Sequence, residues 1–182
     1  ATGACALSEF QVEAAPANDP TKLTKSSFIG ATADVNVAEA LFGEAHPEKE
    51  KKVRISGPVA FAVDGKEETA WMVDGGPGVR NQPRKAVFTA AAPIDNDGGT
   101  ILTFYLMQNH AGQASDRDDN NNLGRMRLSI TSAKDATADP LPAAVREALS
   151  IPSEQRTAEQ TATVFSYWRT TVPQWKEAND AI

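Results

Sequence analysis

Apolar and polar positions alternate along much of the chain before residue 135, which is the period of half-buried strands. Residues 4–13, ACALSEFQVE, carry Cys5, Leu7, Phe10 and Val12 on an apolar pattern that is interrupted at Ser8-Glu9, and they predict a strand with one wet face. Residues 14–22 hold two prolines, Asn18 and Asp19, and predict a turn-rich connection. Residues 23–35 predict a weaker strand in which Gly30 marks a bulge. The pattern is strongest at residues 101–130. There the apolar run ILTFYLM (101–107) predicts a buried strand, and the alternating MRLSI (126–130) predicts its neighbour. A long loop crowded with Asn, Asp, Gln and Ser separates the two, and loops of that length inside compact domains are usually functional or disordered.

The stretches between are shorter. Asn36 is placed to cap a brief helix through Val37, Ala40 and Leu41 that Gly43 would end, and the charged EAHPEKEKK that follows, with His46, reads as exposed. Residues 57–74 run from an apolar approach (59–63) through a tight Asp64-Gly65 turn to Thr69 and Trp71, with Gly65 supplying the positive φ such turns often need. A Gly/Pro loop (75–85), a strand (86–94) and a turn (95–100) complete this part.

Beyond Thr131 the period changes from two to about 3.6. One helix is expected over 142–149, with Pro142 in its first turn. Another is expected to begin at Thr157, with Gln160 at capping-box spacing and Ala158, Thr161, Ala162, Phe165 and Trp168 on or near one face. A third, short helix is expected over 173–182. The fold class that results is mainly β: an antiparallel, jelly-roll-like β-sandwich with Greek-key connections over residues 1–135, followed by a helical segment over 136–182.

Composition narrows the function classes. The chain has 182 residues, 41% of them hydrophobic, and a formal net charge of -6 with no basic run, which argues against a nucleic-acid partner. No apolar stretch approaches a membrane span, so direct membrane insertion is not expected. Cys5 is the single cysteine. It allows neither an internal disulfide nor a Cys-x-x-Cys-His haem attachment, and its place in an apolar strand reads as a small core residue. The chain opens at Ala1 without an initiator Met or a leader, which reads as a processed or excised piece.

Catalytic signatures are sparse. Two histidines are present, and there is no Gly-x-Ser-x-Gly elbow, no phosphate loop behind GGPG and no Cys/His zinc spacing; a pair of carboxylates in a cleft stays open as a hydrolase site. The 108–122 loop has the oxygen donors a calcium ion takes, chiefly Asp116, Asp118, Asp119 and Asn120, although its spacing is not that of an EF-hand. The same residues also suit a polar loop held by Asn and Asp turns. Sugar recognition needs an aromatic face and planar polar groups, and Trp71, Arg80, Asn81, Arg84 and His110 are the candidates, with Gln82 beside them. Against that role, Trp71 reads more readily as a core anchor of the Asp-Gly turn, and His110 more readily as a hydrogen-bonded loop residue. Trp168 and Trp175 read as residues that pack the helical segment onto a neighbour.

The ordered succession LSEFQV, AVDGKEETAW, GPGVRNQPRKAVF, GGTILTFYLMQNH and NNNLGRMRLSIT resembles an accessory domain of large secreted planctomycete and verrucomicrobial proteins that carry cytochrome c segments and domains of unknown function. LPAAVREALSIPSEQRTAEQ resembles the helical segment that follows that domain. The A-x-DG-x-x-x-T-x-W element and the L-S-E-F-x-V strand are in turn similar to galactose-binding-like jelly rolls of the discoidin type. The resemblance implies a periplasmic or extracellular setting, glycan binding and a structural calcium. Here the LSEF strand comes first rather than late, so the chain reads as starting partway through the parent domain; haem is not carried over. Two functions are therefore expected. One is a non-catalytic carbohydrate-binding module, with a glycan as partner. The other is a structural or docking domain that joins the cytochrome c and other domains of the parent polypeptide through an apolar patch around Phe165, Trp168 and Trp175.

Overall fold

The computed structural model describes residues 5–41, 54–73, 82–110, 123–173 and 175. The chain divides into two compact units, Ala1–Asp139 and Pro140–Ile182. Among the described residues it is mainly β, with several sheets that are antiparallel in all but one strand pair, and two α-helices.

The alternating N-terminal segment forms two strands rather than one. Strand β1 (Ala6–Leu7) pairs with β7 (Thr69–Met72), while β2 (Glu9–Pro16) pairs with β9 (Thr100–Met107) in unbroken antiparallel register from Glu9↔Met107 to Pro16↔Thr100. The chain thus passes from one sheet to another at Ser8, the position where the apolar alternation breaks. Short β3 (Thr24–Lys25) flanks β2 on its other side. A separate pair joins β4 (Phe28–Ala33) to β8 (Ala86–Ala90), with the register shift between Phe28 and Gly30 that the glycine predicted.

The remaining sheet orders β1-β7-β6-β5, where β5 is Ala40–Leu41 and β6 is Ile55–Gly57. Strands β6 and β7 run parallel, so this sheet is mixed. A parallel pair needs a crossover, and a 3-10 helix over Val59–Val63 supplies it. Gly57 is required where that crossover starts, because a Cβ there would lie 2.5 Å from the Phe61 ring. Gly65, with φ +77°, closes the turn into β7.

Several expectations fail in this unit. Residues 14–16, read as part of a turn-rich connection, continue β2, and β9, read as a buried strand, has no fully buried residue and exposes Ile101 and Tyr105. The helix after Asn36 does not form: residues 37–39 are irregular and lead into β5. The Asn36 side chain instead accepts a hydrogen bond from Val59 N–H at 2.8 Å, which satisfies the start of the 3-10 helix from across the chain. Residues 126–130 form no strand beside β9, and Met126, Leu128 and Ile130 stand exposed.

The core follows the aromatic residues of the strands. Phe10 of β2 stacks on Phe88 of β8 with centroids 4.2 Å apart, and Phe28 and Phe104 close around it at 5.5 and 6.1 Å. Leu7, Val12, Val59, Ala62, Trp71 and Val73 complete the buried cluster.

In the second unit, α1 (Ala143–Leu149) starts after Pro142 and buries Val145 and Ala148. Arg156 Nε donates to the carbonyls of Ala148 and Ile151, both at 2.9 Å, so a cation satisfies the carboxyl end of the helix. Helix α2 (Ala158–Thr171) opens with the expected capping box between Thr157 and Gln160. Its 14 residues include none that is buried. The face expected to pack turns outward: Ala158, Thr161, Ala162, Phe165 and Trp168 are exposed, whereas Gln160, Thr163, Val164 and Tyr167 are half-buried. Of the third expected helix only residues 173 and 175 are described. Among the described residues no helix is long and apolar enough to cross a membrane.

Candidate functional site

The residues singled out from the sequence separate into three groups. Arg80, Asn81, Asp116, Asp118, Asp119 and Asn120 lie outside the described residues, so neither the calcium loop nor that part of the sugar set has a described geometry. Among the described residues no group of three or more His, Cys, Asp or Glu side chains is arranged to hold a metal. Trp71 and His110 are described, and both are buried, at 5% and 1% exposure. Arg84 is half-buried near Cys5.

Trp71 belongs to the core. It sits mid-strand in β7, and its Nε1–H donates to the Val35 carbonyl at 3.1 Å, which satisfies the one polar atom of the indole. Its ring face is not available to a sugar. Cys5, on the same pattern, is pushed up to about 11 by burial, against the smaller downward pull of the Arg84 guanidinium. A thiol with that value supplies almost no thiolate at neutral pH, so it is no nucleophile.

His110 forms the most specific polar arrangement in the unit. Its Nε2 lies 3.1 Å from the Glu68 carbonyl, which can only accept, so Nε2 carries the proton. In the neutral ring Nδ1 is then the acceptor, and it takes the Ser8 hydroxyl hydrogen across 3.0 Å. Ser8 Oγ in turn accepts from Asn109 N–H at 2.9 Å. A Ser–His hydrogen bond is the starting arrangement of nucleophilic catalysis. Here Ser8 is 0% exposed and His110 1% exposed, so no substrate reaches the hydroxyl. The pair acts instead as a clasp. It ties the strand switch at Ser8 to the end of β9 and to the turn before β7. Burial holds the His110 imidazole below its usual value, which favours the neutral ring that the clasp requires.

Sequence reasoning missed Ser8, Glu9 and Glu68 as members of this region. The signal was present in Ser8-Glu9, two polar residues inside an apolar alternation. Glu9 is 6% exposed, and its Oε1 has no hydrogen-bond partner among the described residues. Burial raises its carboxyl above the usual range; the backbone N–H groups of Gly65 and Lys66 pull it down, and Asp64 adds to the rise.

Among the described residues the β unit has a groove of about 260 Å³ lined by residues that include Thr24, Lys25, Ser26, Pro93, Asp95 and Asn96. It is smaller than the ~300–1,000 Å³ of small-molecule sites. None of Trp71, Arg84 and His110 borders it.

Among the described residues the most exposed aromatic side chains lie in the helical unit, ahead of Tyr105 of β9 at 39%. Phe165 and Trp168 sit three positions apart on α2, with ring centroids 5.6 Å apart and planes inclined by 27°. They are 51% and 46% exposed. Trp175 is 43% exposed, and its ring lies under the Arg169 guanidinium, 5.3 Å from the centroid. Such a surface offers flat apolar area with a cation beside it. No protein-family model, curated protein or solved structure matches the chain.

Proposed function

We propose that the chain is a non-catalytic docking module, joining other domains of a longer secreted polypeptide through the aromatic face of its helical unit. The observation that carries this reading is the exposure of Phe165, Trp168 and Trp175 on a unit whose principal helix buries nothing. Large aromatic side chains together with arginine are the residues that dominate the energy of protein interfaces when they become covered. The β unit, on this reading a jelly-roll-like sandwich, is the other folded unit of the module. The partner is the neighbouring domain that the resemblance implies, including the cytochrome c segments of such proteins.

A second reading is favoured by the same rings. Carbohydrate-binding surfaces also use exposed aromatic planes, and Arg169 supplies a donor for hydroxyl groups. In this version the sugar contacts belong to Phe165, Trp168 and Trp175 rather than to Trp71 and His110. A calcium ion in the 116–120 segment would then be structural.

A glycan array probed with the wild-type chain and with Trp168→Ala, each with calcium and with a chelator, separates the two. The docking reading expects a blank array under every condition, together with binding to the separately expressed neighbouring domain that Trp168→Ala weakens at least tenfold. Glycan binding that Trp168→Ala abolishes establishes the sugar reading. Loss of binding in chelator, with Trp168→Ala harmless, moves the site to the Asp/Asn loop.

A further inference from the structure

Among the described residues strand β9 lacks a neighbour on one side. Over all eight residues it pairs with β2, and among the described residues no strand lies along its other edge. The side chains it turns toward the core, Leu102, Phe104 and Leu106, pack on the buried cluster yet remain only partly covered. An eight-residue open edge of this kind is a template for pairing, and most proteins protect such edges.

The same chain carries an unpaired strand. Residues 124–130, GRMRLSI, are irregular, and among the described residues none of their backbone groups makes a hydrogen bond. Their pattern is that of a strand, with Met126, Leu128 and Ile130 alternating with Arg125, Arg127 and Ser129. The three apolar side chains are 54%, 44% and 77% exposed. The chain is held on either side of the segment, at Leu123 and at Ala138. Leu123 N–H donates to the Gln108 side chain just past β9, and Ala138 N–H donates to Thr32 Oγ1 of β4 at 2.8 Å.

We infer that the 125–131 segment of one copy of this chain adds as a strand to the open edge of β9 in a second copy, giving a reciprocal dimer. Length and pattern agree: seven residues meet an edge of eight, and period-two alternation places Met126, Leu128 and Ile130 on the core side, beside Leu102, Phe104 and Leu106. Arg125 and Arg127 then fall on the outer face. That face holds Gln11 and Glu13, with the Tyr105 hydroxyl bonded to Glu13 Oε2 at 2.7 Å. The two arginines are thus placed on the sheet face that already carries a carboxylate. Each copy offers both the edge and the strand, so a two-fold exchange satisfies both at once and closes on itself.

Light scattering after size exclusion, run from dilute to concentrated protein, tests this together with amide exchange. Wild type should pass from monomer to dimer, and amides of 125–131 and of the outward positions of β9 should become protected only in the dimer. Leu128→Pro removes a ladder donor from a segment that is unpaired in the monomer, so it should abolish the dimer while leaving the circular dichroism spectrum intact. Leu128→Lys, which keeps the amide but charges the core side, should weaken the dimer about tenfold or more, and it serves should the proline variant misfold. Three results overturn the proposal: a monomer at every concentration, a dimer indifferent to both variants, or protection of 125–131 already present in the monomer. The last would mean that the segment pairs within its own chain.

Discussion

Phe10 and Trp168 both belong to apolar patterns of the kind that mark a buried face, and the fold uses them in opposite ways. Phe10 lies between two sheets, against Phe28, Phe88 and Phe104, and is 8% exposed. Trp168 stacks on one neighbour of its own helix and is 46% exposed. The difference is what lies opposite. In the β unit, sheets on both sides close over the ring, so its area is consumed in folding. In the helical unit α2 keeps Thr163, Val164 and Tyr167 half-buried and leaves its aromatic stripe outward. Burial therefore decides stability in one unit, whereas the exposed rings of the other are available for the contact proposed above.

The comparison is tested most severely by removing the rings. Phe10→Ala should cost about 3–5 kcal/mol, since it deletes a buried aromatic from a cluster that cannot fully collapse. Urea unfolding should show a lower midpoint at unchanged slope. A cost below ~1 kcal/mol would mean that the aromatic cluster is not the core. Ser8→Ala comes next. It leaves His110 Nδ1 buried without its donor, for a loss of about 1–3 kcal/mol by the same measurement.

The clasp and its neighbouring carboxylate also predict opposite pH trends. His110 has a folded value depressed below its usual 6.5, so the unfolded state binds the proton first. The stability it leaves intact above that usual value is lost as pH falls through the folded value. Glu9 has a folded value raised above its usual 4.5, so its contribution is present below 4.5 and is lost as pH rises through the folded value. Glu9→Gln should accordingly be more stable than wild type at neutral pH by about 1 kcal/mol, with the gap closing below pH 4.5, as measured by urea titration across pH. The smallest effect belongs to the other region. Phe165→Ala with Trp168→Ala should change stability by no more than ~0.5 kcal/mol, because surface side chains without buried partners contribute little. A loss several times larger would make the stripe part of a core.

Periodicity located most of the elements. Strands β4, β8 and β9, the helix after Pro142 and the capping box at Thr157 lie where apolar spacing and end signals place them, while β2 only overlaps the expected strand and runs on to Pro16. What periodicity does not carry is the identity of whatever faces each element. MRLSI has a strand's pattern, yet its backbone finds no partner among the described residues; Asn36 has a cap's chemistry but uses it on Val59, 23 residues away. The parallel pairing of β6 with β7 depends on a crossover whose direction leaves no mark in either three- or four-residue strand. For the candidate site the same limit applied to Trp71 and His110. Residue type suggested ligand contact, whereas the hydrogen bonds to Val35, Ser8 and Glu68 belong to a buried interior.

The three tryptophans allow a direct measurement of the central claim, that the aromatic face of the helical unit is a contact surface. Acrylamide quenching should be recorded on the chain alone and on the same chain within a multidomain polypeptide that carries its neighbouring domains. Trp71, being buried, provides an internal unquenched reference. The account expects Trp168 and Trp175 to be quenched readily in the isolated chain and strongly protected in the longer protein, with Trp71 unchanged. Equal quenching of Trp168 and Trp175 in both proteins would contradict it.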